Sequence, residues 1–281
     1  MGRVTTRVPR TRVDVTAGGA PVERPDTVAV EEPLEMRLGD APLTTTMRTP
    51  GDDFDLAIGH LLTEGLLHAA DEVATLMHCT DVDASGSPTF NVVEVTLAPG
   101  VVPHRPARER TEAMTSACGV CGSASIEAVR TASRYAVADD PLVLPPDVVA
   151  GLPGALRARQ PVFDRTGGVH AAGLATASGE LLHVREDVGR HNAVDKVVGA
   201  AAREGALPLA GTVLVVSARA SFEIVQKAGV VGIPAVVAVG APTSLAVELA
   251  RDRGITLAAF TRPPHFSLYA RADRVLGPTG R

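Results

Sequence analysis

The chain has no Trp, two Tyr and six Phe among its 281 residues, and its formal net charge is -5. Proteins that hold single-stranded nucleic acid stack the bases on aromatic rings set in a basic surface. Neither feature is present, so no nucleic-acid partner is expected. Cysteine is as scarce: Cys79, Cys118 and Cys121 make an odd, small set. That is not a disulfide framework, and a reducing, cytoplasmic setting is expected. Long apolar runs are missing too. The longest, from Gly229 to Gly240, is interrupted by Gly232 and Pro234, whereas a membrane helix needs about 20 apolar residues. The arginines of the first 12 residues are followed by no apolar stretch, which argues against a secretory signal. Met1 to Thr6 formally fits the N-myristoylation pattern, a short one that chance often supplies. A soluble protein without a membrane partner is the expectation. Neither the P-loop pattern nor Gly-x-Gly-x-x-Gly occurs. Lysine is reduced to Lys196 and Lys227.

What remains is ordinary for a globular protein, with 45% hydrophobic and 21% charged residues. The length suits one large or two modest domains. Residues 12–16 and 28–38 read as strands, and 34–38 with 43–49 flank a Gly39-Asp40 turn as a hairpin. Phe54, Ala57, Ile58, Leu61 and Leu62 then fall at helical spacing, with acids in the first turn and Gly65 beyond the end. Residues 89–97 alternate as a strand. Residues 102–117 are polar and aperiodic, as in a long loop. After it the pattern becomes layered: helices at 123–133 and 147–160, the latter disturbed by Pro153; a hairpin of 171–177 and 181–187; a helix at 188–204. Strands at 212–217, 235–239 and 255–260 alternate with helices at 220–228 and 244–251. The late strands are apolar on both faces, as helices on both sides of a sheet require. The expected fold class is α/β. A small N-terminal α+β domain (1–102) is followed by a mobile loop carrying Cys-x-x-Cys (103–122) and a three-layer α/β/α domain (123–281).

Cys118-Gly119-Val120-Cys121-Gly122 stands just before the expected helix at 123. There, unpaired backbone N–H groups and the positive end of the helix dipole favour the nucleophilic thiolate. A zinc half-site would need two further ligands, and only Cys79, after His78, is at hand. A redox dithiol is a second reading. Zinc deamination is excluded, since His-x-Glu is missing and Ala117 stands where Pro is required. A sulfur carrier, holding sulfane sulfur as a persulfide, and a pair of inert structural cysteines complete the set; Cys79, in an apolar run, suits the inert reading.

Polar residues also gather where strands end. Arg185, Asp187, Arg190 and His191 surround one strand-to-helix junction, with Asp195 and Lys196 following as a possible surface pair. Ser217, Arg219 and Ser221 surround a second. Phe260, Thr261, Arg262, Pro263, Pro264 and His265 follow the last strand. In an open α/β sheet, ligands bind outside the carboxyl ends of strands, and helix starts there suit anionic or nucleotide-like groups.

Read in order, Met47-Arg48-Thr49-Pro50-Gly51-Asp52-Asp53, Leu62-Thr63-Glu64-Gly65, Cys118-Gly119-Val120-Cys121-Gly122 and Thr166-Gly167-Gly168-Val169-His170 resemble the FdhD family. So do the runs from Arg185 to Lys196 and from Ser221 to Ala228. These are the sulfurtransferase accessory proteins of formate dehydrogenase. The resemblance implies transfer of persulfide sulfur from a cysteine desulfurase to the molybdenum bis-molybdopterin guanine dinucleotide cofactor, bound as substrate, for the formate dehydrogenase apoenzyme. It implies that a guanine nucleotide such as GDP binds the same site. A homodimer and a C-terminal domain shaped like cytidine deaminase without the zinc chemistry are also implied. By the same resemblance Cys118 carries the persulfide, Cys121 assists, and residues 260–265 touch the cofactor. The sequence departs from the family pattern at Ala218, where glycine is favoured. Two other classes remain open: a dithiol oxidoreductase, and a cofactor-binding chaperone without sulfur chemistry.

Overall fold

A computed structural model describes residues 3–16, 21–79, 89–104 and 134–276. Cys118, Cys121 and the expected helix at 123–133 lie outside the described residues.

The chain opens with an antiparallel ribbon, β1 (Thr5–Arg12) and β2 (Val22–Ala29). The strand expected at 12–16 is displaced, because pairing with β2 runs residue for residue from Thr5 to Arg12. The single strand expected at 28–38 is also divided. The chain leaves the ribbon after Ala29 and enters a second sheet as β3 (Glu32–Leu38). That sheet adds β4 (Ala41–Arg48), β5 (Val73–His78) and β6 (Val92–Leu97), in the order β4-β3-β6-β5. The β3–β4 hairpin turns at Gly39, whose φ of 55° is a left-handed conformation that glycine adopts at little cost. Strand alternation turns Leu34, Met36, Val93 and Val95 inward, where each is buried.

The second half is built on a six-stranded sheet. Its strands are β7 (His170–Ala175), β8 (Leu181–Asp187), β9 (Val213–Val216), β10 (Ala235–Ala238), β11 (Thr256–Arg262) and β12 (His265–Ala270), in the order β12-β11-β10-β9-β7-β8. The central β9, β10 and β11 are parallel, and every residue of β9 and β10 is buried. Helices on both faces make that possible. On one side lie α2 (Pro146–Arg157) and the short terminal α7 (Asp273–Leu276), supplying Val149, Leu152, Leu156 and Val275. Opposite them lie α4 (Arg190–Arg203), α5 (Phe222–Val230) and α6 (Ser244–Arg253). Pro153 does not end α2; the helix runs on to Arg157 and a separate short helix, α3 (Pro161–Thr166), starts with proline at its first position.

The two sequence halves meet through α1 (Asp53–Thr63), which lies between the four-stranded sheet and α4. One continuous cluster joins Leu34, Met36 and Val95 to Leu56 and Leu61 of α1 and to Val194, Val197 and Ile224 beyond it. Each fully buried aliphatic side chain of this size contributes roughly 1.5–3 kcal/mol. The α1–α4 crossing is close enough that glycine is needed on both sides. A methyl group on Gly59 would overlap the Asp195 carbonyl, and one on Gly199 the Asp55 carbonyl.

Candidate functional site

The α1–α4 seam also carries a network of buried charges, and Arg185, Asp187, Asp195 and Lys196, all noted in the sequence, belong to it. Asp187, the last residue of β8, is 0% exposed and Lys196 is 1% exposed; their charged groups lie 2.7 Å apart. Lys196 Nζ also donates to the Thr49 carbonyl at 2.8 Å. Asp187 accepts from the backbone N–H groups of Thr49 and Gly189 at 3.1 and 2.8 Å, and from Asn192 Nδ2 at 3.2 Å. Arg185 donates through Nη2 to Asp55 at 2.8 Å, and Arg203 reaches the other oxygen of that carboxylate at 2.6 Å. Asp187 and Arg185 thus tie the Thr49–Asp55 turn to the second half of the chain.

A second cluster stands along the same seam. Lys227 Nζ contacts both carboxylate oxygens of Asp195 at 2.8 and 3.0 Å and donates to Thr63 Oγ1 and Glu64 Oε1 at 2.9 and 3.2 Å. Burial alone would raise the Asp195 carboxyl, but Lys227, helped by His60, brings it down to about 2. For Lys227 burial works downward and Asp195 outweighs it, leaving the ammonium above its ordinary value. Asp195 and Lys196, a possible surface pair from sequence, are both buried, and each pairs with a different partner. Successive helical residues point about 100° apart, so neighbours in sequence serve different clusters.

Above the seam, at the carboxyl ends of β8, β9, β10 and β11, lies a cavity of about 610 Å³. This is where an open α/β sheet places its ligands, and the volume is within the usual range of about 300–1,000 Å³ for a small-molecule site. Ser217, Thr261, Arg262 and Pro263 line it together with His170, Val188 and Val239. The opposite wall comes from Arg157 of α2, Gln160, Phe163 of α3 and the Gly167-Gly168 turn, none of which the sequence had singled out as site residues except the turn. Their signal was present but indirect, in Pro161 opening a helix and Gly167 ending it at φ 64°. Ser217 Oγ accepts from the Ala171 N–H at 2.9 Å, which joins β9 to β7 at the cavity floor.

The polar groups here are not satisfied as those of the seam are. Thr261 is 0% exposed, yet its Oγ1 has no hydrogen-bond partner among the described residues. Arg190, first residue of α4 and outside the cavity lining, has a buried Nε without a partner among the described residues. His170 is held below the ordinary histidine value, first by burial and then by the Arg190 guanidinium, with Asp187 opposing both. His191 is lowered likewise by burial, then Arg190 and Lys227. Its Nε2 lies 3.5 Å from Ser221 Oγ and 3.8 Å from Glu223, at the start of α5 rather than in the cavity lining. Arg219, Pro264 and His265 are exposed. Phe260 is 52% exposed with φ 51°, and its N–H donates to Gly240, which packs against Arg219. Ala218 is buried. The thirteen residues selected around the three junctions therefore sort into a cavity group, a neighbouring surface group and the underlying seam.

These features define an α/β protein with an open cleft at the carboxyl edge of a mixed sheet, in which the buried Thr261 hydroxyl has no partner among the described residues. The FdhD/NarQ family model matches residues 29–276, and the chain belongs to that family. A protein of Streptomyces avermitilis named sulfur carrier protein FdhD is 54% identical over 276 residues, covering 98% of this chain and 97% of the relative. Its namesake in Mycobacterium tuberculosis is 51% identical, covering 90% and 93%. Among solved structures, a candidate formate dehydrogenase accessory protein from Desulfotalea psychrophila superposes with a TM-score of 0.71 at 23% identity. The match covers 98% of this chain and all of the other. Among the described residues no helix is long and apolar enough to cross a membrane, and no cluster of His, Cys, Asp or Glu could hold a metal.

Proposed function

We propose that this chain is a sulfurtransferase that passes persulfide sulfur from a cysteine desulfurase to the molybdenum bis-molybdopterin guanine dinucleotide cofactor required by formate dehydrogenase. Family membership over nearly the whole chain supports sulfur carriage. The observation that carries the ligand side is the cleft floor, where a fully buried Thr261 hydroxyl stands without a partner among the described residues. Leaving such a group unsatisfied costs about 1–3 kcal/mol, a cost that a bound polar ligand relieves. A cavity of about 610 Å³ suits one nucleotide-sized portion of the cofactor, with Arg262 at its edge to meet negative charge. His191, Ser221, Arg219 and Phe260 would border the remainder.

In the transfer, the Cys118 thiolate attacks the outer sulfur of the desulfurase persulfide. A new S–S bond forms on Cys118, the old one breaks, and the desulfurase cysteine leaves as thiolate. Cys121 assists, and in delivery to the cofactor the S–S bond on Cys118 breaks, Cys118 is restored as thiolate, and the two electrons that bring the transferred sulfur to the sulfide level come from the cofactor's metal. Incubation with a cysteine desulfurase and L-cysteine, followed by intact mass measurement, should show one added sulfur atom, retained in the Cys121→Ala variant and lost in Cys118→Ala. Absence of an adduct on the wild-type chain would overturn sulfur carriage. Full formate dehydrogenase activity in cells carrying only Cys118→Ala would instead favour a cofactor chaperone.

A further inference from the structure

The wall of the cleft that faces the sheet is held in place differently from its floor. Helix α3 contributes Phe163 to that wall, and Gln160, just before the helix, stands with it in the lining. α3 is six residues long and none of its residues is fully buried. A short element without buried apolar side chains gains little from packing, so polar ties must fix its place. One tie comes from α2, where Arg157 pairs with Asp164 at 2.6 Å and stands 4.7 Å from the centre of the Phe163 ring. Both members of that ion pair are about half exposed, and exposed pairs hold little. The stronger tie comes from β8. The Glu186 carboxylate accepts the backbone N–H groups of Val162 and Phe163, one on each oxygen, both at 2.8 Å. These bonds are charge-assisted and end on a half-buried side chain that does not itself line the cavity. Strand alternation explains the division of labour along β8. Arg185 and Asp187 turn to the seam, where they meet Asp55 and Lys196. Glu186 turns the other way, opposite Ala171 of β7, which packs in the α2 layer. Its two neighbours thus anchor the strand end from which it reaches α3.

We propose that Glu186 is a positioning residue for the cleft: by holding the first turn of α3 it sets where Phe163 and Gln160 meet the ligand, and so governs the affinity of a site it does not line. This rests on the reading that the cleft receives the nucleotide portion of the cofactor. The physical reason is preorganisation. A wall free to take several positions must be ordered as the ligand arrives, which weakens binding, whereas a wall already fixed by the carboxylate needs no ordering. The two processes are reciprocal, so a ligand that prefers the fixed wall also fixes it. Gln at position 186 keeps one acceptor oxygen, but its NH2 group cannot accept the second N–H, and Leu accepts neither. Cleft affinity therefore follows the order Glu, Gln, Leu at this position.

The test uses the full-length chain with GDP as the probe. Amide hydrogen exchange at Val162 and Phe163, followed by NMR, should be about tenfold faster in Glu186→Gln and faster again in Glu186→Leu, as the loss of one and then both charge-assisted bonds requires. Exchange at Val194 of α4 and Val215 of β9 should keep its wild-type rate in the Gln variant. GDP affinity, measured by calorimetry, should fall by about threefold to tenfold in Glu186→Gln and further in Glu186→Leu. Saturating GDP should bring the Val162 and Phe163 amides of the Gln variant back toward their wild-type exchange. A merely structural role would speed exchange in the core along with the wall and leave the affinity of the folded chain unchanged. Wild-type exchange at both wall amides, or faster exchange there with wild-type GDP affinity, would overturn the inference and leave the cleft reading standing. If Glu186→Leu fails to fold, the Gln variant decides alone. Failure of GDP to bind the wild-type chain would overturn both, with the exchange rates then reporting only the tie between Glu186 and α3.

Discussion

The seam between α1 and α4 and the cleft above it use the same residue types to opposite ends. In the seam, Asp187, Lys196, Asp195 and Lys227 are buried and each is matched by an opposite charge with further hydrogen bonds. In the cleft, the fully buried Thr261 hydroxyl has no partner among the described residues, and at the nearby start of α4 neither has the buried Arg190 Nε. A charge network that is fully satisfied fixes one arrangement of two packed units, because losing either partner strands the other in a low-dielectric interior. Polar groups left open have the reverse property: they gain most when something else completes them. The contrast separates residues that hold this fold together from residues available to a ligand, even where the two alternate along one stretch from Arg185 to His191.

The comparison can be broken most sharply in the seam. Lys196→Met leaves the Asp187 carboxylate buried without its cation and should destabilise the chain by about 3–5 kcal/mol in denaturant titration. Adding Asp187→Asn, which removes the stranded charge while keeping an acceptor for the Thr49 and Gly189 N–H groups, should recover part of that loss. If the single variant were neutral, the seam would not be the tie described. Acid offers a second lever. Asp195 is lowered to about 2 in the folded chain, below its unfolded value, so its contribution is fully present above the ordinary aspartate range. That contribution is lost as pH falls through about 2. Melting curves between pH 5 and 2 should therefore show an acid-dependent loss that Asp195→Asn removes. Gly199→Ala forces α4 away from the Asp55 carbonyl and should cost about 1–3 kcal/mol, read as a lower unfolding midpoint with an unchanged slope.

The cleft should answer in the other direction. Thr261→Val keeps the shape and removes the orphan hydroxyl, so the melting temperature should hold or rise, by up to about 1 kcal/mol of stability. GDP affinity should fall several-fold in the same variant. A destabilised Thr261→Val chain would mean that the hydroxyl serves the fold, and the contrast would fail at that point.

Much of the architecture could be read from pattern alone. The α1 stripe, the helix opening at Arg190 and the alternating units from β9 to β11 lie within a few residues of their expected bounds. The failures share a cause. β1, β5 and β12 are exposed or half-exposed strands at a ribbon or sheet edge, where only a partner strand, not burial, decides the conformation. For the site, the three junctions led to Ser217, Thr261, Arg262 and Pro263, and the opposite wall around Phe163 and Gln160 was not visible. Its residues gain meaning only by facing the sheet from α2 and α3.

Local physics was enough to place the helices, the central strands and the polar junctions at the strand ends, because periodicity, caps and turn residues act over a few neighbouring positions. The family resemblance rests on equally local runs, above all Arg185 to Lys196. Which of those polar residues would be consumed and which left open was decided only by tertiary structure. Asp187 and Arg190 lie one helix start apart, yet Thr49, Asn192 and Lys196 converge on the first, and no described acid meets the second. Some of the partners that complete a buried charge, such as Thr49 for Asp187 and Thr63 for Lys227, come from more than a hundred residues away, and no local rule counts them.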